Sequence, residues 1–260
     1  MGMTTNIVTE RDAGVLMITL NRVNKKNALN QAMYQALAET LNAAADNQAV
    51  RVVLITGVED CFCSGNDLAD FANFMAEPEK LAGSENPTLA FMLALEKCPK
   101  PVVAAVSGPA VGIGTTMLLH CDLVYCAENT AFSLPFVNLG LRPEYASSYL
   151  LPRLAGHARA AEWILLGEPF GAEAAYQAGL VNGVVDDPLL KAREVCHKLA
   201  AQAPIAVREA KALLKLSGRK AVSDTLNTEL QSFVASLSSP EFGEAVTAFF
   251  EKRPADFSKI

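Results

Sequence analysis

Short runs of apolar residues alternate with amphipathic segments along the first two thirds of the chain. The runs at 51–57, 101–108 and 122–127 (RVVLITG, PVVAAVSG and DLVYCA) are mostly apolar, which is typical of strands buried on both faces. A segment with apolar residues at helical spacing follows Asn30, which can cap it, and extends to about Asn47. Strands and helices that alternate in this way predict an α/β core with repeated crossovers.

The pattern changes after residue 187. From 188 to 253 almost every segment has the apolar spacing of a helix, interrupted only by short polar or glycine-bearing breaks. We therefore predict two regions. Residues 1–187 form an α/β core that carries the site, and residues 188–260 form a helical C-terminal region.

Charge and cysteine content narrow the class of function. The chain has 260 residues, 51% of them hydrophobic, and a formal net charge of -6, which argues against a general nucleic-acid binder because phosphate contacts need a basic face. Cys61 and Cys63 form a C-x-C pair with no further ligand at metal-binding spacing. We predict free thiols in a reducing compartment and no metal site.

No segment is predicted to cross a membrane. Residues 101–119 contain no charge, but prolines and glycines interrupt them, and this pattern favours a buried strand, a turn and a buried helix. A cytoplasmic location is expected. The last three residues, 258–260 (Ser-Lys-Ile), approach the peroxisomal Ser-Lys-Leu address, so a peroxisomal location is the alternative.

Two glycine-bearing turns are the strongest local motifs. DCFCSGNDLADF at 60–71 and VSGPAVGIGTTMLL at 106–119 each follow a predicted strand and lead into a predicted helix, the second of these being the longer. Glycine lets such a turn direct backbone N–H groups outward. Two turns in one domain could aim two N–H groups at a single oxygen, as in an oxyanion hole. The alternative is that both turns are purely structural.

The two turns, together with NRVNKKNALN at 21–30 and AYQAGLVNGVV at 175–185, resemble the crotonase (enoyl-CoA hydratase/isomerase) superfamily. The resemblance implies a crotonase-like fold of repeated ββα units with a helical C-terminal trimerisation region, assembled as a homotrimer or a dimer of trimers. It implies an acyl-CoA thioester substrate, with coenzyme A belonging to the substrate and no separate cofactor. It also implies that the backbone N–H groups of Asn66 and Ile113 form the oxyanion hole.

Glu144 is the residue that the resemblance singles out for catalysis. Hydratases of this family use two glutamates to activate water, and the matching positions here are Thr116 and Phe136. The order PF-x-x-LG-x-x-PE-x-x-SSY around Glu144 instead resembles the Δ3,Δ2-enoyl-CoA isomerase branch, which serves fatty acid oxidation. We therefore expect an isomerase in which Glu144 moves the proton.

The chemistry of the residues agrees with that expectation. Moving a double bond from C3 to C2 of a thioester requires removal of a C2 proton and delivery of a proton to C4, and one buried carboxylate can do both. The apolar neighbours of Glu144 are expected to raise its pKa. A structural alternative exists, because Pro143 and Glu144 also suit the first two positions of a helix. Hydration, thioester hydrolysis and acyl-CoA binding without turnover are the functional alternatives.

The resemblance also indicates how coenzyme A is held. Of the cations in the 21–30 loop we predict that Lys26 contacts the CoA phosphates. The backbone near Ser64, Asp67 and Leu68 is expected to meet the adenine and the pantetheine, and Phe136 to contact the substrate. The acyl tail is expected against the apolar positions Leu68, Phe71, Phe74 and Phe91.

Overall fold

A computed structural model describes residues 6–58, 61–67 and 86–260 of the protein. Leu68, Phe71 and Phe74 lie outside the described residues. The strands are β1 (Ile7–Asp12), β2 (Val15–Leu20), β3 (Val52–Gly57), β4 (Val102–Val106), β5 (Pro109–Val111), β6 (Leu123–Cys126), β7 (Ala131–Ser133), β8 (Phe170–Gly171) and β9 (Gly183–Val184).

The helices of the described residues lie mostly between and after these strands. They are α1 (Gln31–Asp46), α2 (Pro87–Glu96), α3 (Ile113–Thr116), α4 (Ser147–Ala155), α5 (His157–Leu166), α6 (Ala172–Gln177), α7 (Pro188–Ala200), α8 (Pro204–Leu216), α9 (Arg219–Ser236) and α10 (Pro240–Glu251). Short 3-10 turns occur at Val23–Lys25, Met117–His120, Val137–Leu139 and Phe257–Lys259. Within these residues no helix is both long enough and apolar enough to cross a membrane.

The strands form two sheets. The larger sheet has the order β1-β2-β3-β4-β6-β9, with β1 antiparallel to β2 and the remaining pairs parallel. The smaller sheet has the order β5-β7-β8, in which β5 and β7 are parallel. Parallel neighbours joined through helices confirm the predicted α/β class.

Apolar residues of the larger sheet are covered on both faces. One face packs with α1 and α2 into the main core. The other face is covered by α7, whose Ala192 and Cys196 lie against Val52, Leu54 and Val103. Burial from two sides explains why β3 and β4 are apolar at nearly every position rather than at alternate ones. The first helix after residue 187 therefore packs directly on the sheet.

Helix starts follow the capping chemistry of the sequence. Asn30 Oδ1 accepts a hydrogen bond from Met33 N at 3.0 Å, so α1 begins where the sequence predicts. Asp187 caps α7 by accepting from Leu190 N at 2.8 Å. These side chains satisfy N–H groups that have no partner within the first helical turn.

The structure excludes one local alternative and limits one predicted helix. Glu144 does not start a helix, because Tyr145 and Ala146 adopt left-handed backbone angles and α4 begins only at Ser147. The helix after the second glycine turn is short, and the helix predicted after the first turn lies outside the described residues. The second turn leads into α3, a single turn, and then into the 3-10 turn Met117–His120. In both places the local sequence is compatible with a helix, and the tertiary packing imposes a bend instead.

Candidate active site

The two glycine-bearing turns lie side by side and are joined through their backbones. Cys63 N donates to Pro109 O at 3.1 Å, and Val111 N donates to Cys63 O at 2.9 Å. Gly114 allows this close approach, because a Cβ there would lie 2.6 Å from Cys63 O. The turns therefore form one rigid unit although they are about fifty residues apart in the sequence.

Asn66 and Ile113 follow the two glycines that bend these turns. Gly65 has φ +100° and Gly112 has φ +54°, both in the region that favours glycine. Within the described part of the chain, neither the Asn66 N–H nor the Ile113 N–H donates a hydrogen bond. The Asn66 side chain is held in place by a hydrogen bond from the Tyr34 hydroxyl. Both backbone donors thus lack an internal partner among the described residues, and Asn66 and Gly112, the residue before Ile113, line the same cavity.

A cavity of about 690 Å³ contains both turns. The 25–28 loop and residues 64–67 supply most of its polar groups (the polar end), and the rest of the described lining is apolar apart from Glu144 (the apolar end). Its lining includes Lys25, Lys26, Ser64, Asn66, Asp67, Gly112, Phe136, Leu139, Leu141, Glu144, Phe233, Phe249 and Phe250. A volume of this size, apolar with a few polar groups at one end, is typical of a small-molecule site.

Glu144 lines this cavity and is only 6% exposed. Burial, and second the negative charge of Glu229, raise the pKa of the Glu144 carboxyl to about 8. Its Oε1 has no hydrogen-bond partner among the described residues. The direction of this shift agrees with the expectation that the apolar neighbours of Glu144 raise its pKa. An acid with a pKa near neutrality can both accept and release a proton at physiological pH.

The backbone after Glu144 is bent by two residues that rarely adopt such angles. Tyr145 has φ +60° and Ala146 has φ +56°, and each such residue costs about 1–3 kcal/mol. Contacts with the core hold Tyr145 in this conformation. Its hydroxyl donates to Met92 O at 2.7 Å, and its carbonyl accepts from His120 Nε2 at 2.8 Å.

The uncharged ring of His120 holds the backbone at Tyr145. A carbonyl oxygen can only accept, so the Nε2 of His120 carries the proton. Burial lowers the pKa of His120 to about 3, so the ring is uncharged at neutral pH. The ring also stacks on that of Tyr145 with centroids 3.8 Å apart. His120 therefore orients the bend without adding a positive charge beside Glu144.

Glu229 on α9 is a buried acid behind Glu144 that sequence reasoning missed. Its carboxylate accepts from Ala146 N at 2.5 Å and from Ser148 N at 2.9 Å, and the residue is 6% exposed. A signal was available in the sequence, because Glu229 shares one helix face with Leu226 and Phe233, both buried. An acid on an apolar helix face is expected to have a specific partner.

The two positions at which hydratases carry glutamates hold no acid. Thr116 is completely buried, and its hydroxyl has no hydrogen-bond partner among the described residues. Phe136 is 4% exposed and lines the cavity. Of the described residues around the cavity, Asp67 and Glu144 supply the carboxylates. The Asp67 carboxylate contacts Arg22 Nη1 at 2.6 Å, which leaves Glu144 as the carboxyl of the described lining that has no ion pair.

The loop predicted to bind CoA borders the polar end. Lys26 is exposed at the cavity, with φ +48°. Arg22 instead donates to Ala28 O and pairs with Asp67, so it ties the loop to the first turn. Ser64 N donates to Lys26 O at 3.1 Å. The structure thus brings Lys26, Ser64 and Asp67 together, while Phe91 is fully buried in the core and is absent from the cavity lining.

Thiol and metal chemistry have no support in the described residues. The six cysteines are free thiols, and burial raises the pKa of Cys63 to about 12, so the thiol nearest the turns is protonated and inert. No group of three or more His, Cys, Asp or Glu side chains in the described ranges could hold a metal ion.

The chain as a whole is similar to proteins of one known family. The sequence model of the enoyl-CoA hydratase/isomerase family matches residues 10–259. The 2,3-dehydroadipyl-CoA hydratase of Escherichia coli is 37% identical, covering 96% of this chain and 98% of the relative. Enoyl-CoA delta isomerase 2 of Rattus norvegicus is 34% identical, covering 95% of this chain and 64% of the relative. The solved structure of Pseudomonas aeruginosa OdaA is 47% identical with a TM-score of 0.89, covering 95% of this chain and 99% of that one.

Proposed function

Because the chain belongs to the enoyl-CoA hydratase/isomerase family, we propose that it is a Δ3,Δ2-enoyl-CoA isomerase with Glu144 as its proton-transferring group. The observation that carries this proposal is that Glu144, whose Oε1 has no hydrogen-bond partner among the described residues, lines the same cavity as Asn66 and as Gly112, the residue before Ile113. The named relatives include hydratases and isomerases, so residue chemistry must separate the two activities.

The two free N–H groups would hold the thioester carbonyl. When the C2 proton leaves, negative charge moves onto that oxygen, and the Asn66 and Ile113 N–H groups lie in turns that cannot move apart. Donors fixed in advance stabilise such a charge at little reorganisation cost, and loss of one typically costs about 3–4 kcal/mol of transition-state stabilisation.

Glu144 would then move one proton between two carbons. Its carboxylate removes a proton from C2, and the electrons form an enolate conjugated with the C3–C4 double bond. The resulting carboxylic acid returns the proton to C4, so that the double bond ends between C2 and C3 and Glu144 is again ionised. A pKa of about 8 suits both halves of this cycle.

Hydration is the less favoured alternative because it needs a second group to hold and activate water. Thr116 and Phe136 occupy the positions where that pair would be, and the Asp67 carboxylate is engaged by Arg22. The apolar wall that includes Phe136, Leu139 and Leu141 also disfavours an ordered water beside Glu144. These features support isomerisation over hydration.

The ends of the cavity suit the two parts of an acyl-CoA. Lys26 and Ser64 at the polar end are suited to the CoA arm, with Lys26 offering a cation to its phosphates. Phe233, Phe249 and Phe250 at the apolar end are suited to the acyl tail. We further propose that CoA enters only as part of the substrate, that no cofactor is needed, and that the chain assembles as a homotrimer or a dimer of trimers.

Assay of the purified protein with a 3-enoyl-CoA tests the activity directly. We expect accumulation of the 2-trans-enoyl-CoA, measured by mass-resolved chromatography. Glu144→Gln should lower turnover by about 10²- to 10⁴-fold, whereas the matched surface change Glu162→Gln should leave it unchanged. Full turnover in Glu144→Gln would exclude it as the base. A parallel assay with a 2-trans-enoyl-CoA supplies the conjugated double bond that hydration needs, and a product heavier by one water would then identify a hydratase. Free CoA would identify a hydrolase, and binding with neither substrate changed would identify a binding protein.

A deuterium label tests whether a single carboxylate moves the proton. Substrate deuterated at C2 should give product that retains part of the label at C4, because the same Glu144 carboxyl removes and returns it. Complete loss of the label to solvent in single-turnover experiments would indicate a second acid or a water relay instead.

A further inference from the structure

Glu229 and Glu144 are both next to the same short bend. Glu144 precedes the left-handed residues Tyr145 and Ala146, and the Glu229 carboxylate accepts hydrogen bonds from Ala146 N and Ser148 N just after them. The bend turns the chain out of the cavity wall and into α4. A carboxylate at the first N–H groups of α4 also suits the positive end of that helix.

We infer that Glu229 is a positioning residue for Glu144: its carboxylate fixes the Tyr145–Ala146 bend that directs Glu144 into the cavity, and it places a negative charge near that acid. The inference rests on the proposed role of Glu144 as the base.

Glu229 keeps a negative charge more readily than Glu144 does. Burial raises the pKa of both carboxyls, but hydrogen bonds from Ser148 and from Ala146 N oppose that rise at Glu229. Two backbone N–H groups stabilise the ionised form of Glu229, whereas Glu144 Oε1 has no partner among the described residues. Two neighbouring buried acids cannot both ionise at low cost, so the acid with donors keeps its charge and the other takes up the proton first. The charge of Glu229 raises the pKa of Glu144 beyond what burial alone does.

Other groups near Glu144 do not replace this effect. Burial raises the pKa of the Cys63 thiol to about 12 and that of the Tyr145 phenol well above its ordinary value, so both are neutral at neutral pH. The remaining charged groups of the described cavity lining lie at its polar end, and they are Lys25, Lys26 and Asp67. Of the described acids, Glu229 is the one whose charge acts on Glu144.

Carboxyl-carbon NMR of protein labelled at glutamate measures this coupling without any substrate. The resonance missing from Glu144→Gln identifies Glu144, and its titration midpoint should lie near pH 8 in the wild type. In Glu229→Gln we expect a midpoint lower by roughly one pH unit, because a like charge has been removed. Asp224→Asn removes an exposed acid from the same helix and should leave the midpoint unchanged. An unchanged midpoint in Glu229→Gln would overturn the electrostatic half of the inference.

Turnover measurements test the geometric half. In Glu229→Gln we expect kcat to fall by roughly ten- to a hundredfold with KM for the acyl-CoA nearly unchanged, because Glu144 is misdirected while the CoA contacts persist. Glu229→Gln/Ala146→Gly should recover much of that loss, since glycine adopts the left-handed conformation without the cap. The double variant should keep the lowered titration midpoint of Glu144, because the charge of Glu229 is still absent. If Glu229→Gln alone does not fold, the same measurements are made on the double variant. Wild-type kcat in Glu229→Gln, or no recovery with glycine, would refute positioning.

The two readouts also separate this inference from the proposed function. If the wild type converts no 3-enoyl-CoA, the isomerase proposal fails, yet the NMR midpoints still decide whether Glu229 controls Glu144. If the wild type is active and Glu229→Gln matches it in both readouts, the isomerase proposal stands and the inference about Glu229 is wrong.

Discussion

Replacing Glu144 by glutamine should make the protein more stable as well as inactive, and the gain should grow with pH. The carboxyl has a pKa of about 8 in the folded protein against an ordinary value of 4.5, which is close to that of the unfolded chain. Between these values the unfolded chain loses the proton while the folded protein keeps it. The folded state then binds more protons, so the free energy of unfolding falls as pH rises.

The magnitude follows from the two pKa values. Each pKa unit corresponds to about 1.4 kcal/mol, so the wild type loses about 2 kcal/mol by pH 6 and about 5 kcal/mol above pH 8 relative to acid conditions. Glutamine does not titrate. The difference in stability between Glu144→Gln and the wild type should therefore grow by about 3 kcal/mol from pH 6 to pH 9.

Denaturant unfolding followed by circular dichroism at pH 6, 7, 8 and 9 measures this difference. Protein concentration is kept constant, because an oligomer would couple stability to concentration. The surface variant Glu162→Gln is the matched control, and its difference from the wild type should stay within about 0.5 kcal/mol at every pH. A Glu144→Gln difference that does not change with pH would refute the raised pKa, whatever its absolute size.

Three further predictions address the rest of the site. The kcat/KM for a 3-enoyl-CoA should rise roughly tenfold from pH 7 to pH 9 as a base with a pKa of about 8 ionises, and a flat profile from pH 6 would contradict this. Gly114→Ala would bring a Cβ within 2.6 Å of Cys63 O, so we expect a destabilisation of about 1–3 kcal/mol in denaturant titrations and loss of turnover. The control Gly243→Ala lies in α10 with nothing within 4 Å and should be neutral or stabilising by up to about 1 kcal/mol. Lys26→Ala should raise KM by up to about fivefold with kcat unchanged, and it should weaken the salt dependence of KM. An unchanged KM would show that Lys26 does not contact CoA.

Much of the framework could be predicted from local patterns. Apolar runs indicated β3, β4 and β6, because strands buried on both faces must be apolar throughout. Asn30 indicated the start of α1 through its capping oxygen. The glycines of the two turns indicated where the backbone could take unusual angles. Each of these signals depends on residues close together in the sequence, and for that reason each is visible without the fold.

The role of Glu144 could be only half predicted. Its motif and the absence of acids at Thr116 and Phe136 singled it out, but the same local sequence also favoured a helix start. Which conformation forms depends on contacts with distant segments, namely Met92, His120 and Glu229, which hold the bend after it. No local rule could have weighed those contacts against helix propensity.

By itself, the sequence determined the α/β class, the family to which the chain belongs, the two turns and the acid to examine. Only the tertiary structure decided that the turns are joined, that Arg22 is engaged by Asp67, and that Glu229 lies behind Glu144. The reason is physical. Secondary structure follows from short-range sterics and hydrogen bonding. The charge state of a buried acid depends instead on the exclusion of solvent and on nearby charges. At this site the nearby charge belongs to Glu229, more than eighty residues along the chain from the bend that it contacts.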